Sequence, residues 1–271
     1  MTRPLYKRNN LIVKTYDVIN GLESKNAVIS KNADIGLVAS TPLAIGASKN
    51  EDILVLGSYV ESSKLLSIVY RNKQANNILP EPIGYVPGTI SHFYYLQYLK
   101  KHNLIHLKDK MNMLAVRPPS MPIIFQKKEA NTAIIWEPFA SLITNPPSKN
   151  SETDIKEIRD PSLYTLRLYL VTRSDVWEKK RELVEKFLQS IQDACTEINS
   201  KDNDIRKEIE RQFGYPENWL KDIWEEVDFS FKNDLENMKN LILKDAQLAI
   251  EANILQKEPD VDYMFSVLKK N

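Results

Sequence analysis

The sequence predicts an α/β fold in two lobes, each a mostly parallel sheet flanked by helices, and three observations carry that prediction. Short β-type runs alternate with short helical patterns up to about Leu170, the alternation that parallel sheets with crossover helices require. After Ser174 the pattern turns helical, and Gly214 is the only glycine from there to Asn271. The 271 residues suit one large domain or two lobes of about 100–150 residues each.

Composition narrows the class. Apolar residues at 42% and charged residues at 27% lie near the globular average of about 45–50% and 25%. That argues against global disorder, a collagen-like array and a disulfide scaffold. The 37 basic and 36 acidic side chains leave a formal charge of +1, and phosphate binding needs clustered cations without matching acids. A nucleic-acid partner is therefore not expected. No apolar run approaches the roughly 18 residues of a membrane span, and Leu11-Ile12-Val13 is broken at once by Lys14, so no secretory signal is read. The chain is expected in the cytoplasm if Met1 is the true start, and in the periplasm or outside the cell if a signal or anchor was removed.

The elements follow in order. Leu11–Tyr16 reads as a strand, Gly21–Lys31 as a short helix, and Asp34–Ala39 as a compact buried strand. Ser40-Thr41-Pro42 opens a helix, with a hydroxyl at its cap and proline in its first turn. Ile53–Gly57 and Leu65–Tyr70 are strands, and Pro80-Glu81-Pro82 marks a break. Ile83–Val86 is the next strand, Pro87–His92 turns into a helix reaching Asn103, and Leu114–Val116 and Ala133–Trp136 are strands. Asn145–Asp160 is polar and reads as a surface excursion, and Tyr164–Arg173 is a strong strand. Leu183, Val184, Phe187, Leu188, Ile191 and Cys195 repeat at helical spacing. Gly214-Tyr215-Pro216 ends the following helix, Trp219–Trp224 begins another, and Leu235–Ile254 is long and amphipathic.

Few residues point to chemistry. The single cysteine, Cys195, lies within a helical apolar pattern and reads as a buried small hydrophobe rather than a nucleophile. His102 and His106 share a helix face, but no third ligand accompanies them, so no metal and no cofactor is expected. The P-loop, the G-x-S-x-G elbow and the His-Glu-x-x-His motif are all missing.

Three segments carry a family likeness. Ala33-Asp34-Ile35-Gly36-Leu37-Val38-Ala39-Ser40-Thr41-Pro42 resembles the strand-turn-helix of periplasmic substrate-binding proteins of ABC importers, in the nitrate, sulfonate, taurine and thiamine-precursor group. Gly84–His92 is similar to that group's second signature, and Asn131–Phe139 to its third, which contains a Trp-Glu-Pro. The helical residues 174–271 also follow the family's closing pattern. The resemblance implies the type II periplasmic-binding-protein fold, with residues 1–80 and 166–271 forming the first lobe and 81–165 the second. It implies a solute-binding protein rather than an enzyme, capturing a small polar or anionic organic ligand in an interlobe cleft and serving an ABC permease. The departure from the family is expected at the start, where Met1 reads as entering near the second strand, without the usual first strand and its helix.

The residues expected to bind ligand are Ser40, Thr41, Ser62, Ser63, Gly88, Thr89, Ser91, Trp136 and Glu137; none is expected to be catalytic or to hold metal. Ser40-Thr41 and Gly88-Thr89-Ser91 place hydroxyls and N–H donors where a strand meets a helix start, which suits an anion or polar oxygen. Plain helix capping would use the same residues. Trp136 and Glu137 fit a planar or NH-bearing ligand, or else a core tryptophan beside a surface carboxylate. Ser62 and Ser63 fall where the family's first lobe lines the cleft. Other functional readings are a cytoplasmic enzyme on the same fold, of thiamine-pyrimidine or menaquinone-pathway type, and a ligand-sensing module.

Overall fold

A computed structural model describes residues 4–71, 76–146, 154–200, 203–213 and 220–267. The chain divides into two compact units. Unit 1 holds residues 1–61 and 167–271, and unit 2 holds residues 62–166. The first crossing thus lies ahead of the strand at Leu66, not at Pro80, because that strand hydrogen-bonds only within the second unit's sheet.

Unit 1 begins with α1 (Pro4–Arg8), α2 (Gly21–Ile29), β1 (Gly36–Ala39), α3 (Ser40–Ser48) and β2 (Leu54–Ser62), whose last residue falls to unit 2. Asn20 caps α2, its side-chain oxygen accepting from the N–H groups of Leu22 and Glu23 at 3.0 Å. Unit 2 contains β3 (Leu66–Arg71), β4 (Ile83–Tyr85), α4 (Ile90–Lys101), β5 (Met113–Ala115), α5 (Met121–Gln126), β6 (Thr132–Trp136), α6 (Phe139–Thr144) and β7 (Ile155–Ile158). The chain returns through β8 (Leu166–Thr172) to α7 (Ser174–Asn199), α8 (Asn203–Phe213), α9 (Lys221–Trp224) and α10 (Leu235–Glu251). The Gly214-Tyr215-Pro216 stop and Trp219 lie outside the described residues.

The sheet of unit 1 runs β1-β8-β2, and that of unit 2 runs β5-β4-β6-β3-β7. The unit 2 sheet is mixed rather than mostly parallel, and in unit 1 the β1–β8 pair is antiparallel. β4 is parallel to β5 and β6, whereas β3 is antiparallel to β6 and β7, and β1 is antiparallel to β8. The helical crossovers that make neighbours parallel sit between β4, β5 and β6; among the described residues no helix joins β3 to β4. Hydrophobicity follows position. All six β3 residues are buried, as is the run Thr132–Ile135 of β6, because both strands lie inside the sheet with covered faces. β7, at the edge, has no buried residue and emerges from the segment read as an excursion.

The cores match this division. In unit 2, Val69, Val86, Met121, Phe125, Ile135 and Ile143 pack together; in unit 1, Leu54, Leu56, Leu170, Val176 and Val184 do so. The expected strand at Leu11–Tyr16 does not form. β1 ends its sheet, residues 12–18 make no backbone hydrogen bond among those described, and an isolated extended segment has no ladder to stabilise it. Cys195 is buried and unpaired, and burial pushes its thiol up to about 11, so it stays protonated. Among the described residues no helix is long and apolar enough to cross a membrane, and no group of three His, Cys, Asp or Glu could hold a metal.

Candidate functional site

Polar groups converge in unit 2 at the carboxyl ends of β4 and β6. β4 and β6 are parallel neighbours whose onward connections leave in opposite directions, β4 toward β5 and β6 toward β7, the arrangement that opens a crevice at the strand ends of an α/β sheet. The chain leaves β4 through Val86, Pro87 and Gly88 to reach α4. Gly88 sits at φ +69°, where a Cβ would touch nothing within 4 Å, so the backbone angle and not crowding calls for glycine.

Thr89 caps α4. Its Oγ1 accepts from the Ser91 N–H at 3.3 Å and donates to the Val86 carbonyl at 2.8 Å. Ser91 is fully buried; its Oγ donates to the Ile134 carbonyl at 2.6 Å and accepts from the Val86 N–H at 3.1 Å. This hydroxyl straps the helix start to β6. First-turn N–H groups have no partner within their own helix and carry positive partial charge. His92 follows, packed edge-on against Tyr85 at 5.2 Å with its Nδ1 buried and unpartnered. Burial, helped by the Lys108 charge, lowers its pKa and favours the neutral ring.

At the end of β6, Trp136 is half-buried, packs on the unit 2 core and meets Phe139 edge-on at 6.5 Å. The Glu137 side chain is only 3% exposed. One carboxylate oxygen accepts from the Ser141 N–H at 3.0 Å and the other is ion-paired with Arg159. Arg159 also reaches Glu157 at 2.6 Å and the Lys64 carbonyl at 3.0 Å. Burial opposes the Arg159 charge, but Glu157 and Glu137 together hold its pKa above the usual guanidinium value. Ser62 is buried and accepts from the Lys64 N–H at 3.1 Å, while Ser63 is half-buried. The Leu65 carbonyl accepts from the Glu137 N–H at 2.9 Å, so this turn runs beside the end of β6.

In unit 1, Ser40 and Thr41 open α3, and Ala39 before them provides no side-chain cap. The Ser40 hydroxyl donates to the buried Asp245 carboxylate on α10. Thr41 Oγ1 and the Tyr169 hydroxyl are buried and make no hydrogen bond among the described residues. Tyr169 stands opposite Val38 in the β1–β8 register; burial, and after it the Asp245 charge, raises its pKa. Nearby on β2 and β8, Glu61 pairs with Arg167 at 3.1 Å.

The structure therefore brings Gly88, Thr89 and Ser91 to the end of β6 beside Trp136 and Glu137, with Ser62 and Ser63 on the adjoining turn. Ser40 and Thr41 belong to the other unit. Asp245, Tyr169 and Arg159 were not singled out from sequence. Asp245 did leave a signal, being a carboxylate in the face Met238, Ile242, Ala246 and Ala249 that α10 buries. Arg159 left none, lying in a polar stretch.

Residues 3–202 match the family model described as NMT1/THI5 like. No curated protein matches the chain. Among solved structures, the periplasmic aliphatic sulphonate binding protein SsuA from Escherichia coli superposes with a TM-score of 0.79 at 15% identity, over 96% of this chain and 84% of that one. The ligand-binding component of an ABC-type import system from Staphylococcus aureus gives 0.73 at 13% identity, over 98% and 92%. The Candida albicans CA3427 gene product, which has the generic periplasmic binding protein fold, gives 0.70 at 16% identity, over 99% and 89%. At these identities the likeness is one of fold.

Proposed function

Since the chain belongs to the NMT1/THI5-like family, we propose that it is a solute-binding protein, one that captures a small polar or anionic organic molecule for an ABC permease outside the cytoplasmic membrane. The observation that carries this reading is the start of α4: a glycine at positive φ and a capping threonine at a helix N-terminus that follows a strand end. Such a site binds oxygens of a sulfonate, carboxylate or carbonyl and needs no bond-making group.

In this reading the Gly88–Ile90 N–H groups and Thr89 contact the ligand, and the Trp136 ring flanks it. Ser91 and Glu137 hold the two loops in place through the Ile134 carbonyl, the Ser141 N–H and Arg159. Ser40 and Thr41 form a second set in unit 1, and Ser62 and Ser63 a third on the turn beside β6.

A thermal-shift screen against taurine, alkanesulfonates, nitrate, bicarbonate, aminopyrimidines and flavins tests the proposal. A ligand at a hundred times its Kd adds about 2.7 kcal/mol, or roughly 5–10 °C for a chain of this size. A shift for one class, abolished by Trp136→Ala, supports the reading. Absence of any shift across the panel rejects it for these solutes.

A further inference from the structure

The chain passes between the two units twice, after Glu61 and before Arg167. The residues that bound unit 1 at these crossings are oppositely charged and in contact: Arg167 Nη2 donates to Glu61 Oε1 at 3.1 Å. They lie 106 positions apart in sequence. Both side chains are partly covered, Arg167 at 21% and Glu61 at 37% exposure. An ion pair thus joins β2 and β8 at the border of unit 1.

A third segment meets them there. Residues 228–232 bridge to β2 at two places, Ser58 with Lys232 and Glu61 with Asp228, each through two backbone hydrogen bonds of 2.7–2.9 Å. The segment is itself held. Asn199 at the end of α7 bonds both the carbonyl and the N–H of Phe229, and the Phe231 ring stands 2.6 Å from where a Gly57 Cβ would be. Lys232 Nζ reaches Glu61 at 3.4 Å and Asp228 at 3.0 Å. Burial opposes the Lys232 charge, but Asp228 and Glu61 together hold its pKa above the usual ammonium value. Two cations and two backbone bonds therefore converge on Glu61, all from unit 1.

Beyond the crossings the chain is fixed to unit 2. The Leu65 carbonyl accepts from the Glu137 N–H at 2.9 Å, and the Lys64 carbonyl from Arg159 at 3.0 Å. Ahead of the second crossing, Tyr164 packs edge-on against Phe93 at 6.4 Å, and the Asp160 N–H donates to the Tyr94 hydroxyl at 2.8 Å. Between these anchors lie Ser62-Ser63 in one crossing and Thr165-Leu166 in the other. Short spans at the ends of elements are where a bend between two units is absorbed.

We propose that Glu61 and Arg167 form a clasp that makes these two spans a single hinge, with Lys232 as its second cation. Crossings free to shift separately would let the units twist as well as bend; joined at Glu61, they share one bending motion. The clasp is ionic and partly exposed, so salt weakens it. The inference needs only the two crossings and stands apart from the ligand reading.

Pulsed electron paramagnetic resonance on the full chain without ligand tests this. Spin labels go at Lys49→Cys in unit 1 and Lys127→Cys in unit 2, both exposed, with Cys195→Ser removing the native thiol. The distance distribution is expected to widen about 1.5-fold or more in Arg167→Gln and in Glu61→Gln, and no further in the double variant, since both changes break one interaction. It should also widen without either change in about 1 M sodium chloride, where the screening length is about 3 Å. Lys180→Gln, which removes the exposed pair with Asp34, should leave it unchanged. Partly exposed ion pairs add little stability, so the variants should melt like the wild type; the salt series decides for any that does not. Four results would overturn the proposal: equal widths in the wild type and both single variants, additive widening in the double variant, the same widening in Lys180→Gln, or a width that salt does not change.

Discussion

The start of α4 in unit 2 and the start of α3 in unit 1 arise from similar sequence, a buried strand followed by a turn rich in hydroxyls, yet they acquire different partners. At α4 the turn satisfies itself. Thr89 caps the helix, Ser91 binds Val86 and Ile134, and Gly88 supplies the positive φ of the turn. At α3 no residue caps from the preceding strand, and a carboxylate from α10, about 200 residues later in sequence, meets Ser40 instead. In the proposed reading the first helix start offers its positive end to a ligand oxygen, while the second has an internal anion beside it. One local motif thus yields two electrostatic environments, decided by what packs against it.

Four measurements would break or sharpen this contrast. The largest effect is expected at Glu137, because Glu137→Ala leaves Arg159 and the Ser141 N–H without their shared partner. Arg159 keeps Glu157, so the loss is that of two hydrogen bonds to a charged group, each worth about 1.5–3 kcal/mol, and urea unfolding reads it; Glu137→Gln, which keeps an acceptor for Ser141, should lose less. Next is Asp245→Ala, expected to cost about 1.5–3 kcal/mol, the worth of a hydrogen bond to a charged group. A loss below that of Thr89→Ala would show that α3 does not depend on the carboxylate. Thr89→Ala itself should cost about 1 kcal/mol, as for other cap deletions, and should weaken any sulfonate or carboxylate ligand found in the thermal screen.

The smallest effect concerns pH. His92 has a lowered pKa in the folded chain, so the unfolded state binds the proton more readily. Stability should therefore fall as pH drops through the ordinary histidine value of 6.5. His92→Gln should flatten that part of the stability profile; an unchanged slope would place the sensitivity elsewhere. Asp175 and Asp228, whose pKa values are lowered, act on the acid side of that range, so the two limbs are separable.

Much of the fold was legible in the residues. β3 and β6 announced themselves as apolar runs, and α4 and α10 as periodic ones, because burial of a strand or helix face writes a short-range pattern. The turn at Gly88–Ser91 was equally readable, since cap chemistry depends on neighbours within three residues. Leu11–Tyr16 carried the same strand signal and formed none, for a strand also needs an adjacent edge. The direction of β3 and β8, and the β7 strand within a polar segment, were likewise set by partners distant in sequence.

For the site, the sequence by itself determined which residue types stand at the helix starts and at the end of β6, because those are local choices of cap, turn and strand. Only the tertiary structure decided that Ser91 bonds to Ile134, that Glu137 is held by Arg159, and that Asp245 lies at Ser40. Each of these joins residues 22 to 205 positions apart. A hydrogen bond or ion pair acts over a few ångströms of space, and sequence does not encode that proximity until the strands and helices have packed.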